Sequence, residues 1–221
     1  MATFVLIHGA GDVGWYWHLV ERELRQRGHD TLAPDLPCDD DSAGLPEYAD
    51  TVVKAIGGRR GLVVVAQSFG GFTAPLVAAR VPVDMLVLVT GMIPAPGEAP
   101  DDWSANTGLD EVMGQQQQRY PGADLIYQDV PPALAEQARR SARGQSGTPG
   151  NAPWMLNAWP QAATRFVLCT QDRFFPPEFT RRVVADRLGV VPDEIAAGHA
   201  VALSRPKQLA NLLASYSEPA D

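Results

Sequence analysis

Leu62-Val63-Val64-Val65-Ala66-Gln67-Ser68-Phe69-Gly70-Gly71 is the stretch that decides the fold. A short, unbroken apolar run ends in a small residue. A serine follows two positions later, and a second small residue two positions beyond that. The run has the length and composition of a strand buried on both faces. Phe72, Leu76 and Val77 then take up helical spacing. The whole reads as the G-x-S-x-G strand-turn-helix elbow with Ala66 in place of the first glycine. Such a turn forces the serine into a strained backbone conformation, so its neighbours two before and two after must be small, as Ala66 and Gly70 are. It also lifts the hydroxyl above the strand, near the positive end of the following helix, where an oxyanion is favoured. Pro75 removes one helical hydrogen bond and predicts a kink.

Working outward, the same alternation repeats. Phe4 to Ile7 reads as a strand ending at the loop His8 to Gly14. Trp17, Val20 and Leu24 give a helix that stops at Gly28, and a short strand over Thr31 to Ala33 ends at Pro34-Asp35. A helix over Leu45 to Ile56, strands over Met85 to Val89 and Arg165 to Cys169, and a helix over Glu178 to Leu188 follow. A short strand at Glu194-Ile195 and a helix over Lys207 to Tyr216 close the series. This pattern predicts an α/β fold of six parallel strands with helices on both faces. The rhythm breaks between Pro94 and Ala163, where helices are expected only near Leu109 to Gln118 and Pro132 to Arg143, before a Gly/Ser/Pro-rich stretch. The expected organisation is a core of residues 1–93 and 164–221 with a small, mainly helical cap insertion over 94–163.

A chain of 221 residues with 45% hydrophobic content suits one core with a modest insertion. Its net charge of -8, with no local basic cluster, argues against a nucleic-acid partner. Asp39-Asp40-Asp41 reads as a solvated loop, and no metal is assigned. Cys38 and Cys169 imply no disulfide framework. No apolar stretch approaches the roughly 18 residues of a membrane span, and Met1 leads at once into a strand pattern without a signal-like segment. A cytoplasmic protein without membrane contact, monomer or homodimer, is expected.

Two motifs compete for the chemistry. Gly9-Ala10-Gly11-Asp12-Val13-Gly14 matches G-x-G-x-x-G, and Asp35 lies about 20 residues on, as in a dinucleotide-binding unit. The bulky Trp15-Tyr16-Trp17 that follows fits that reading poorly, because the third glycine serves close helix packing. The serine reading needs a base and an acid at the carboxyl ends of later strands. Asp172 and His199 stand there, and the chain order Ser68, Asp172, His199 is the one the elbow motif requires. Asp172 is otherwise a turn acid capping the next helix. Asp84 is at the wrong end of its strand, Thr90-Gly91-Met92 offers no carboxylate, Asp35 is a turn residue, and Asp193 precedes the last strand. His8 is expected to brace the glycine loop, and His18 and His29 to be structural.

These residues resemble the α/β-hydrolase superfamily, and within it the compact esterase branch of plant methylesterases, salicylate-binding esterases and hydroxynitrile lyases. The resemblance is carried by Leu6-Ile7-His8-Gly9-Ala10, Trp15-Tyr16-Trp17, Gly28-His29, Asp35-Leu36 and the Ser68 elbow. Met92-Ile93-Pro94, Asp172, Gly198-His199 and Leu203-Ser204-Arg205-Pro206 extend it. It implies that the amides of Ala10 and Phe69 form an oxyanion hole. Three departures stand out: Gln67 replaces the histidine common before the serine, the cap is short, and Ala200 replaces the lysine that follows the histidine in lyases. The expected function is a cofactor-independent serine hydrolase acting on a small, largely apolar carboxylic ester, with Met92, Trp103 and Trp154 lining the substrate pocket. The alternatives are a non-catalytic small-molecule receptor on the same fold and a dinucleotide-binding oxidoreductase.

Overall fold

The computed structural model describes residues 1–217. Six strands form one parallel sheet: β1 (Thr3–Ile7), β2 (Asp30–Leu32), β3 (Leu62–Gln67), β4 (Met85–Val89), β5 (Ala163–Cys169) and β6 (Asp193–Ile195), in the order β2-β1-β3-β4-β5-β6. Among the described residues ten α-helices accompany them. Those packed on the sheet are α1 (His18–Gln26), α2 (Leu45–Ile56), α3 (Gly70–Ala78), α8 (Pro177–Leu188), α9 (Val201–Ser204) and α10 (Pro206–Ser215). This is the α/β-hydrolase arrangement the sequence predicts.

Alternate residues of each strand face opposite ways, and the two cores divide accordingly. Val5, Ile7, Val64, Ala66, Leu86 and Leu88 pack with α2, α3 and α8. Phe4, Leu6, Val63, Val65, Val87 and Val89 pack with α1, α9 and α10. Strands clothed on both faces must be apolar throughout, which is why the sequence shows runs there and no alternation.

Between β4 and β5 lie α4 (Trp103–Thr107), α5 (Leu109–Arg119), α6 (Pro132–Ser141) and α7 (Thr148–Asn151). α4 and α7 are one turn long, too short to leave a periodic signature in the sequence. α6 stops at Ser141, two residues before the expected end at Arg143. None of the helices is long and apolar enough to cross a membrane among the described residues.

The sheet order reverses direction between β1 and β3, which pair in parallel with Ile7 opposite Ala66. Both strands therefore deliver their following loops to the same switch point, where open α/β sheets bind ligands. His8 to Gly14 leaves β1 there, and Ser68 leaves β3 beside it.

Candidate active site

Among the described residues Ser68 is one of two non-glycine residues with positive φ, at +50°. A serine held in this sparsely populated region persists only where its surroundings impose it. Its carbonyl accepts hydrogen bonds from the amides of Gly71 (3.0 Å) and Met92 (2.9 Å), which ties the elbow to the end of β4. A Cβ on Gly70 would lie 2.8 Å from the His8 carbonyl oxygen, and one on Gly71 would lie 1.9 Å from that of Met92. Small residues are thus obligatory where the chain turns from β3 into α3. Pro75 sits inside α3, and the helix continues past it with the Ala79 amide bonded to the Pro75 carbonyl at 3.0 Å. Among the described residues the Ser68 hydroxyl has no hydrogen-bond partner.

His199 and Asp172 meet at the same edge, with Nδ1 of the histidine 2.8 Å from Oδ2 of the aspartate. Both are buried, at 3% exposure. The Asp172 carboxylate accepts three further hydrogen bonds. Thr90 Oγ1 donates to Oδ2 at 2.7 Å, while the amides of Phe174 and Phe175 donate to Oδ1 at 2.8 and 2.9 Å. The turn-capping role and the histidine-orienting role are therefore performed together, one by each oxygen. Phe174 and Phe175 meet the imidazole edge-on, with centroids 4.9 and 5.0 Å away. An imidazole whose Nδ1 is held by a carboxylate presents Nε2 in a fixed direction.

Thr90 is not identified by the sequence pattern, because the residue type expected at the end of β4 is a carboxylate. It too has positive φ, +40°. Its position at the carboxyl end of the strand beside β5 was the available signal. A second contribution comes from Asp129, ahead of α6: its Oδ2 accepts the Gly198 amide at 2.9 Å, just before His199. A Cβ on Gly198 would lie 2.5 Å from Asp129 Oδ1, so this approach needs glycine. Gln67, where the resemblance leads to the expectation of a histidine, is buried, with its amide nitrogen 3.5 Å from the His199 carbonyl.

The loop after β1 is set by His8. Its Nε2 accepts the Leu36 amide at 3.0 Å, so the ring proton is on Nδ1 and is donated to the Gly9 carbonyl at 2.8 Å. Burial pushes the His8 pKa down, which keeps the ring neutral as this pattern demands. The amides of Ala10 and Phe69 have no acceptor among the described residues. The glycine string is occupied from outside: Gly11 N–H donates to Gln145 Oε1 at 2.9 Å, its carbonyl accepts the Arg143 amide, and Gly14 N–H donates to Asp35 Oδ1 at 2.8 Å. Amides that would cradle a pyrophosphate are thus already committed, and Asp35 serves the loop itself.

Ser68 and His199 line one cavity of about 240 Å³ together with Ala10, Phe69 and Met92. Ser104, Leu109, Ile126 and Tyr127, from the segment between β4 and β5, cover it. Trp103 and Trp154, expected as pocket walls, do not line it. Their rings are buried at 1% and 2% exposure, with each indole N–H donated to a backbone carbonyl, Ile93 for Trp103 and Phe72 for Trp154. An indole burying its ring in apolar surroundings and its N–H on a carbonyl is a packing element. The walls are instead supplied by Phe69, Phe174 and Phe175.

A parallel α/β sheet, a serine on a strained strand-to-helix elbow at its switch point, and a carboxylate–imidazole pair beside it define a protein of the hydrolase-fold class. The chain belongs to the alpha/beta hydrolase family, whose model matches residues 4–212. It is similar to norfluorocurarine synthase 1 of a Strychnos species, with 23% identity over 97% of this chain and 95% of that protein. It also matches methyl jasmonate esterase 1 of Vitis vinifera at 28% identity, over 52% of this chain and 46% of that one. Among solved structures it superimposes on polyneuridine aldehyde esterase with a TM-score of 0.82 at 20% identity, covering 99% of this chain and 100% of the other.

Proposed function

We propose that the chain is a serine hydrolase that cleaves a small carboxylic ester through an acyl-enzyme on Ser68. The observation that carries this reading is the 2.8 Å Asp172–His199 pair, whose histidine lines one cavity with a serine held at positive φ. In the proposed reaction His199 Nε2 takes the Ser68 proton as the hydroxyl oxygen attacks the ester carbonyl. Asp172 holds the Nδ1–H tautomer and stabilises the imidazolium that forms. The amides of Ala10 and Phe69 stabilise the oxyanion, each donor contributing roughly 3 kcal/mol in comparable sites. The imidazolium returns its proton to the departing alcohol. Water, deprotonated by His199, then releases the acid and restores the serine. The predominantly aliphatic and aromatic walls support a largely apolar substrate.

The test is steady-state hydrolysis of 4-nitrophenyl acetate. The parent protein is expected to turn the ester over, and His199→Ala to lose at least about 10³-fold in kcat/KM. Binding of esters without turnover by the parent would overturn the hydrolase assignment and leave a receptor.

A further inference from the structure

The cavity contains one charged group that the proposed chemistry does not use. Asp12 lines it, in the loop after β1, at 9% exposure. Its side chain accepts a single hydrogen bond within the described residues, from the adjacent Val13 amide at 2.8 Å. Among the described residues no lysine or arginine pairs with it: Arg143 is taken by Asp35 and Asp39, and Arg139 by Asp124. Buried carboxylates are ordinarily paired or saturated with donors, because an isolated charge in a weakly polar setting is costly.

Two phenols share this end of the cavity. Tyr16 is 2% exposed, and its buried hydroxyl lies beside the backbone amide of Ala202. Tyr127 faces the same space from the covering segment. The Asp12 charge adds to burial in raising the pKa of both, that of Tyr127 to about 12. Burial, with a smaller contribution from the Asp35 charge, lifts the Asp12 carboxyl itself to about 6, so it remains mostly ionised at neutral pH. The local grouping is therefore one anion, two neutral phenols and nearby aromatic faces, with no cation contributed by the described residues.

We infer that Asp12, flanked by Tyr16 and Tyr127, is a specificity-determining subsite that receives a protonated amine on the substrate, making the preferred ester a cationic amino ester with an otherwise apolar body. A cation offers this arrangement the missing countercharge, an N–H donor for the carboxylate, and contact with aromatic faces. The remaining walls, Phe69, Met92 and Phe174 among them, still call for a hydrocarbon frame. The inference rests on the cavity being the substrate site proposed above.

The test compares two esters of nearly equal shape, 2-(dimethylamino)ethyl acetate, protonated at pH 7, and its carbon isostere 3-methylbutyl acetate. Their affinities are measured by calorimetry on Ser68→Ala, where turnover is removed, and on Ser68→Ala/Asp12→Asn. Asparagine is isosteric with the protonated carboxyl, and Asp12→Ser provides a second neutral replacement should the first variant not fold. The expected result is a preference of at least about tenfold for the ammonium ester that vanishes in both neutral variants. Equal affinities in Ser68→Ala, no measurable affinity for either ester, or a preference that survives loss of the Asp12 charge would each overturn the inference. The same esters offered to the parent protein separate the two claims. Preferential binding without hydrolysis would refute the esterase reading while leaving amine recognition standing.

Discussion

Asp172 and Asp12 are both buried carboxylates at the carboxyl edge of the sheet, and their surroundings treat them in opposite ways. Asp172 accepts four hydrogen bonds, from Thr90, His199, Phe174 and Phe175. Asp12 accepts one, from its own neighbour. At Asp172 the fold supplies every donor the charge needs, which fixes a single orientation of the imidazole it holds. At Asp12 the described residues supply one amide and no countercharge, which is costly to the protein alone and, on the proposed reading, useful when a cation arrives. On the reading proposed above, the first carboxylate serves the chemistry of the cavity and the second its recognition.

That contrast can be broken or sharpened in three steps. The largest effect is expected at the saturated end. Asp172→Asn keeps the shape but favours the wrong imidazole tautomer, and kcat for 4-nitrophenyl acetate should fall on the order of 10⁴-fold. A loss below about tenfold would mean that Asp172 only caps its turn. The second step is at the unsaturated end. A carboxyl raised from 3.8 to about 6 by burial is favoured in its protonated form by the folded state. The folded protein therefore loses stability as pH rises from 3.8 through 6, by up to about 3 kcal/mol. Asp12→Asn should accordingly raise the Tm at pH 8, with the gain shrinking as pH falls from 6 towards 3.8. A variant that is less stable at pH 8 would show that Asp12 has a partner within the protein. The smallest effect belongs to Thr90→Val, which removes one of the four donors to Asp172. Chemical denaturation should show a loss of about 1–2 kcal/mol, with a several-fold drop in kcat and little change in KM. An unchanged kcat would confine Thr90 to packing.

The residues that hold the sheet together were legible because buried parallel strands must be apolar on both faces, and the elbow was legible because only small residues fit its turn. Asp172 and His199 could be placed by topology, since each follows a strand whose carboxyl end the sheet order fixes. Thr90 could not be placed in the same way. Its function depends on which hydroxyl lies within reach of Asp172, a contact spanning 82 residues of chain. Trp103 and Trp154 were expected in the pocket because they lie in the covering segment. The Ile93 and Phe72 carbonyls that draw their indoles into the core are tertiary partners with no local signature. Asp12 was hidden by its motif, since in a glycine string the intervening positions read as filler until the loop's neighbours are known. Gly14 shows the same limit. Its fit against the Ala33 carbonyl, 2.0 Å from where a Cβ would stand, serves the end of β2, where the dinucleotide motif would place it against a helix.

Acylation of Ser68 is the step on which the proposed chemistry depends above all. A fluorophosphonate probe reacts with a serine activated by an adjacent base, and peptide mass spectrometry locates the adduct. The prediction is a single adduct on the peptide containing Ser68 in the parent protein and none in Ser68→Ala. Labelling of Ser68→Ala at the parental rate, or an adduct confined to another residue, would contradict it.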